Sequence, residues 1–170
     1  MQMGKLPGLC DEPNAAYRFA MRIALYQPEI AGNVGAVMRL GACMGVAVDL
    51  IEPLGFAWDD KRVRRTAMDY IDFVEVARHP TFEAFRASTG SARIVLLSTK
   101  AVTSLYDHAF EPDDILLFGM ESAGVPLEVA AACTVAIRIP MRREVRSFNL
   151  ATSAALALGE ALRKTLSLPG

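Results

Sequence analysis

Residues 114–126 read DILLFGMESAGVP. Ile115 through Phe118 form a continuous apolar run, with no polar residue aimed at either face. A strand half-exposed to water alternates polar and apolar residues. One that is apolar throughout is covered on both faces, as in a parallel sheet flanked by helices. The run stops at Gly119, and Gly124 follows in the same short loop. Glycine adopts backbone conformations that other residues resist, so this loop can aim several N–H and C=O groups at a ligand. Glu121 within it would repel phosphate but suits a cation or a ribose hydroxyl. The loop has no lysine, so it is not a phosphate-cradling Walker loop. A plain strand-to-helix turn, with Pro126 opening the next helix, fits the same spacing. If a ligand does bind here, a valine at Gly119 should fill its space while leaving the fold largely intact.

The pattern recurs along the chain. RIVLLS, residues 93–98, is a second continuous apolar run. Strands are expected at Arg22–Tyr26, Val46–Ile51, Phe73–Ala77, Arg93–Leu97, Asp114–Phe118 and Val135–Ile139. Helices are expected at Asn33–Met44, Asp59–Thr66, Thr81–Ser88, Leu127–Ala132 and Asn149–Thr165. Such alternation predicts an α/β domain with a mostly parallel sheet and flanking helices. Ligands in such sheets lie outside the carboxyl ends of the strands.

With 170 residues, 52% hydrophobic and 22% charged, the chain reads as one globular domain over 21–170. Residues 1–20, with Gly4, Pro7, Gly8 and Pro13, read as a flexible tail without the apolar core of a secretory signal, and Met21 could serve as a natural start. The net charge of −1 means that nucleic-acid binding requires a local basic patch. Cys10, Cys43 and Cys133 are odd in number and far apart, which argues against a disulfide framework or zinc site and fits a reducing cytoplasm. No apolar run reaches the length of a membrane span, so no membrane role is expected. His79 and His108 stand in no metal or nucleophile motif; His79, before Pro80, reads as structural.

Other segments carry candidate chemistry. In QPEIAGNVGAVMRLGACMG, residues 27–45, Asn33 can cap a helix whose apolar face is Val34, Val37, Met38 and Ala42. Arg39 lies outside that face, as a solvated arginine would. AGNVGA lacks the dinucleotide fingerprint. KRVRR, residues 61–65, covers much of a helical turn with cations, serving either as a solvated face or as an RNA-phosphate contact. IPMRREVRSFNLATSAALALGEALRK, residues 139–164, is a helix apolar nearly all round from Asn149 onward. Its start, Arg146-Ser147-Phe148-Asn149, carries more polar groups than an N-cap needs. Arg142, Arg143 and Arg146 form a second basic cluster.

Taken in order, N-x-G-x-x-x-R at 33–39, IEPLGFAWDDKRVRR, FGMESAGVP and IPMRREVRSFNLATSAAL resemble the motifs of the SPOUT RNA 2′-O-methyltransferases, and among them the small tRNA wobble-nucleotide type. The resemblance spans residues 22–165. It implies a C-terminal trefoil knot, S-adenosylmethionine held by that knot with S-adenosylhomocysteine as product, no metal, and a homodimer. It implies methyl transfer to a tRNA ribose 2′-hydroxyl at the wobble cytidine or carboxymethylaminomethyl-modified uridine. Another tRNA or rRNA site stays open.

The cofactor-binding residues it implies are Leu97, Ser98 and Thr99; Gly119, Met120, Glu121 and Gly124; and Ile139, Met141, Ser147, Asn149 and Leu150. RNA would be held by Asn33, Lys61, Arg62, Arg64, Arg65, Arg142, Arg143 and Arg146. Arg39 is the implied catalytic residue. An arginine stays protonated in water, which favours a phosphate clamp and stabiliser of the developing alkoxide over a general base. Two departures stand out: Ala123 where similar proteins often have Arg, and Thr152 where they often have a second Asn. A small-molecule nucleotide-binding protein and a non-catalytic RNA-binding protein with a relic pocket are the competing classes.

Overall fold

A computed structural model of the chain describes residues 20–58, 68–166 and 168–169. The expected helix over 59–66 and the cations Lys61, Arg62, Arg64 and Arg65 lie outside the described residues, as does nearly all of the tail. The chain opens with β1 (Arg22–Tyr26), α1 (Ala31–Met44) and β2 (Ala47–Ile51). A 3-10 turn (Met68–Phe73) leads into β3 (Val76–His79), α2 (Phe82–Thr89) and β4 (Ile94–Leu97). Then follow β5 (Thr103–Ser104), β6 (Ile115–Phe118), α3 (Leu127–Ala131), β7 (Val135–Arg138) and α4 (Leu150–Lys164).

The strands form one seven-stranded sheet in the order β3-β2-β1-β6-β4-β7-β5. Every pairing is parallel. Side chains alternate between two apolar layers. Ile23, Leu25, Val48 and Leu50 meet α1 and α4 through Val34, Met38, Ala154 and Leu158. Ala24, Ile51, Ile94 and Leu117 face the other way, onto Phe85 of α2 and Val129 of α3. Each buried Leu, Ile or Val contributes about 1.5–3 kcal/mol relative to exposure, so continuous apolar strands are what a sheet covered on both faces selects. Among the described residues, no helix is long and apolar enough to cross a membrane.

Several expectations need correction. The third strand is not Phe73–Ala77 but Val76–His79. Its register pairs Val48 with Val76 and Ile51 with His79. That register lets His79 Nε2 meet Asp49 Oδ1 at 2.8 Å. A strand ending at Ala77 would leave the buried Asp49 short of a partner, which is costly. Phe73 is displaced into the 3-10 turn and is 75% exposed. Asn33 does not cap α1: the helix begins at Ala31 with Ile30 at the N-cap, and Asn33 turns its buried side chain elsewhere. The edge strand β5 is too short to leave a periodic signature.

Candidate functional site

The sheet order fixes which loops can meet. β6, β4 and β7 are neighbours, and Leu97 pairs with both Phe118 and Ile137. The segments after them, 98–99, 119–124 and 139–149, therefore leave the sheet side by side and at one level. These are the three segments expected to hold the cofactor. Leu97, Met120, Ile139 and Met141 are half-buried there, and Leu150 is buried. Ser147, Asn149 and the arginines Arg142, Arg143 and Arg146 are exposed, with Arg142 Nε 3.7 Å from Glu144.

The chain reverses direction of growth at β1, which lies between β2 and β6. The loops after β1 and β6 consequently face each other at the switch point, where open α/β sheets bind ligands. Gln27 turns the chain out of β1 with φ 47°, a left-handed conformation uncommon for a non-glycine. Across this gap runs a hydrogen-bonded chain. Asn33 Nδ2 donates to Glu121 Oε1 at 3.0 Å, and Asn149 Nδ2 donates to Asn33 Oδ1 at 2.8 Å. Asn149 Oδ1 in turn accepts from the backbone of Ala151 and Thr152 and so caps α4. The Glu29 N–H donates to Glu121 Oε2 at 2.9 Å, so Glu121 also supplies the negative charge that the first turn of α1 lacks. Ser122 donates both its N–H and its hydroxyl to Glu29, each at 2.7 Å. These bonds hold the Glu29 carboxyl below the usual carboxylate range, the hydroxyl contributing most.

Three residues assigned separately, Asn33 to RNA and Glu121 and Asn149 to cofactor, thus bind one another. Of the polar groups at the start of α4, Asn149 faces α1. The glycine loop is also closed on itself by Met120 N–H to Gly124 O and Gly124 N–H to Met120 O, both 2.9 Å. A Cβ at Gly119 would lie 2.4 Å from the Gly124 carbonyl carbon, and Gly124 has φ 72°. The expectation that Gly119→Val would only fill ligand space is therefore overturned: the added side chain collides with the loop's own backbone.

Arg39 is exposed and lies about 9 Å along the axis of α1 from Asn33, about 1.7 turns on and so on a different face of the helix. Its guanidinium stacks over the Tyr70 ring, 5.0 Å from the centroid. Sequence reasoning missed Glu29, Ser122 and Tyr70. Glu29 had a signal, being a carboxylate just beyond a strand's carboxyl end. Tyr70 had none, because its meeting with α1 depends on how the 3-10 turn packs. A groove of about 560 Å³ lined by Phe82, Arg86, Glu128 and Ala132 lies between α2 and α3, on the other face of the sheet. It contains none of these groups, so the strand ends remain the candidate site. Among the described residues, no cluster of His, Cys, Asp and Glu could hold a metal ion.

Comparison with known proteins agrees with this geometry. The SpoU rRNA Methylase family matches residues 20–159. A tRNA (cytidine(34)-2′-O)-methyltransferase of Beijerinckia indica subsp. indica is 52% identical over 149 residues, covering 86% of this chain and 92% of that one. A solved structure described as "Structural insights into the 2-OH methylation of C/U34 on tRNA" matches with TM-score 0.81 at 40% identity, covering 85% of this chain and 95% of that one. An AdoMet-bound rRNA methyltransferase from Sinorhizobium meliloti matches with TM-score 0.75 at 25% identity, covering 84% of this chain and 56% of that one. A match over so much of the chain, joined to a parallel sheet whose ligand-side loops hold the expected motifs, makes this chain a member of the SpoU rRNA Methylase family.

Proposed function

We propose that the chain transfers a methyl group from S-adenosylmethionine to the ribose 2′-hydroxyl of nucleotide 34 of a tRNA, with cytidine as its target. The observation that carries this reading is the convergence of three loops at the ends of β6, β4 and β7, in a chain 52% identical to a protein of that named activity. Uridine at the same position is the second reading, favoured by the C/U34 description of the structural neighbour.

The residues present suit the cofactor. Half-buried Leu97, Met120, Ile139 and Met141 offer apolar walls for an adenine, and the three loops bring backbone donors and acceptors to one place. S-adenosylmethionine would supply an electrophilic methyl group on a sulfonium. With it bound, the ribose 2′-oxygen would take that methyl group, S-adenosylhomocysteine would be the product, and one proton would have to be removed. Loop residues orient the two reactants and exclude water between them. Arg39 clamps the adjoining phosphate and stabilises negative charge developing on the 2′-oxygen, and the proton passes to phosphate or water. Arg142, Arg143 and Arg146, with Lys61, Arg62, Arg64 and Arg65, bind the tRNA backbone.

Assembly follows the same reading. The trefoil knot is supported by chain order: β7 inserts between β4 and β5, whose connection precedes it in sequence. A homodimer is supported by apolar surface on the α1 and α4 side, where Ile30 is 51% exposed, Phe148 40% and Leu156 39%. The protein then works in the cytoplasm, with its tRNA. Light scattering should give twice the 18.4 kDa chain mass, and a monomer at micromolar concentration would overturn the dimer. The test of function is methylation of unmodified and cell-derived tRNA with labelled cofactor, followed by mass spectrometry of nuclease fragments. A 2′-O-methyl group at position 34 supports the reading; no transfer, or transfer only elsewhere, overturns it.

A further inference from the structure

The loop expected to hold the cofactor does not stand alone. Its middle is closed by the Met120–Gly124 backbone pair, and its tip, Ser122, is held from outside by Glu29. Glu29 belongs to the loop after β1, 93 residues earlier in the chain. The two segments exchange bonds reciprocally. Glu121 takes the N–H of Glu29, and Glu29 takes the N–H of Ser122. Glu29 is itself fixed from behind, because Gly55 N–H bonds Pro28 O at 3.0 Å and a Cβ at Gly55 would lie 2.8 Å from Glu29 Cα. Three loops thus converge on one residue, whose carboxylate oxygens both meet Ser122.

We infer that Glu29 is a positioning residue: its clamp on Ser122 holds the 119–124 loop in its ligand-binding shape and so sets the affinity for S-adenosylmethionine. This rests on the methyl-transfer reading of the site. The physical basis is preorganisation: a loop already held in its bound shape loses less freedom on binding. Because both Ser122 donors are committed to Glu29, Ser122 acts through the loop's shape and not as a contact to the ligand. The same clamp ties the cofactor loop to the loop leading into α1, which carries Asn33 and, farther on, Arg39.

The experiment uses the full chain and compares Glu29→Ala, Ser122→Ala, Ser122→Thr and the double alanine variant. S-adenosylmethionine affinity is measured by calorimetry, amide hydrogen exchange by mass spectrometry of peptides containing Ser122, and melting temperature as the control for a purely structural role. Glu29→Ala should weaken affinity about tenfold, since hydrogen bonds to a charged group are the stronger kind. It should speed exchange at Ser122 and leave the melting temperature nearly unchanged. Ser122→Ala should cost less, because one of two bonds remains. Ser122→Thr keeps the hydroxyl and should restore affinity. The double variant should bind no more weakly than Glu29→Ala, because both changes remove one interaction. Wild-type affinity in Glu29→Ala, whatever its exchange rate, would overturn the inference, as would affinity lost only in step with a fall in melting temperature. If the unaltered protein fails to bind S-adenosylmethionine, the methyl-transfer reading falls, and the exchange rates alone then decide whether the clamp exists.

Discussion

Asp49 and Glu121 are both carboxylates that join segments distant in sequence, yet their surroundings differ. The Asp49 side chain is 3% exposed and lies against the α2 layer. Arg22 meets it with Nε at 2.7 Å and Nη2 at 2.9 Å, and His79 adds a third contact at 2.8 Å. The hydrogen bond to Asp49 raises the Arg22 pKa against the opposing effect of burial. Glu121 is only half-buried, and its partners are a side-chain amide and a backbone N–H. Exposed Ser122, Ala123, Arg146 and Ser147 belong to the loops around it. A buried carboxylate held by a permanently charged arginine and a histidine ring has little left to offer a ligand. A carboxylate held by neutral groups at a solvent-facing junction orders loops without closing them off. The first arrangement serves stability, and the second joins loops at the candidate site.

That division can be broken by mutation. The largest effect should come from Asp49→Ala, which removes two hydrogen bonds from Arg22 and one contact from His79. Among the described residues it leaves Arg22 only Glu75, at 4.0 Å, as an acidic partner, and it should destabilise by about 3 kcal/mol. Urea denaturation reads this loss, while methylation per folded molecule should stay near wild type. A dead but fully stable variant would show that the two clusters are not separate. Next comes Arg39→Ala, which should lower single-turnover methylation on the order of a hundredfold with S-adenosylmethionine affinity unchanged. Turnover at the wild-type rate would remove Arg39 from the chemistry.

Gly119→Val probes the site end differently. With its Cβ forced against Gly124, the loop must shift, costing about 1–3 kcal/mol as overpacking does. Cofactor affinity and unfolding midpoint should fall together, whereas loss of affinity alone would restore the simpler idea of a filled pocket.

The smallest effect concerns a second buried cluster. Burial lowers the His108 pKa, helped by Arg93 and Lys164 and opposed by Glu111. The folded state therefore resists the proton that the unfolded chain accepts below about 6.5. Stability from this residue is full above that pH and declines below it. Asp114 beside it has a pKa raised by burial, so it disfavours folding as pH rises above its ordinary 3.8, with the opposite sign in a lower window. Melting curves from pH 7.5 to 5.5 should decline by a few degrees for the wild type and less for His108→Gln. Equal slopes would assign the decline to other groups.

Much of the fold is legible in the sequence. RIVLLS and DILLFG each contained a strand of the parallel sheet because a strand covered on both faces must be apolar at every position. The apolar run from Asn149 onward marked α4, and the structure makes Asn149 its N-cap, with its side-chain oxygen on Ala151 and Thr152 N–H. The same local reasoning failed at Asn33, whose side chain had a better partner in Glu121 than in its own helix. It failed again at β3, where the pairing of β2 with His79 outweighed the β propensity of Phe73.

What the sequence determined by itself was therefore the set of local choices: where apolar runs form strands, where a helix begins, and which motifs stand at the carboxyl ends. Those choices depend on neighbours within a turn or two of chain, and spacing encodes them. Tertiary structure alone decided which motifs touch. Asn33 meets Glu121 across 88 residues and Asn149 across 116, because β1 lies beside β6 and α1 beside α4. No local pattern carries that information: it arises when seven strands settle one order that buries their apolar faces together, and only then does Glu29 find Ser122.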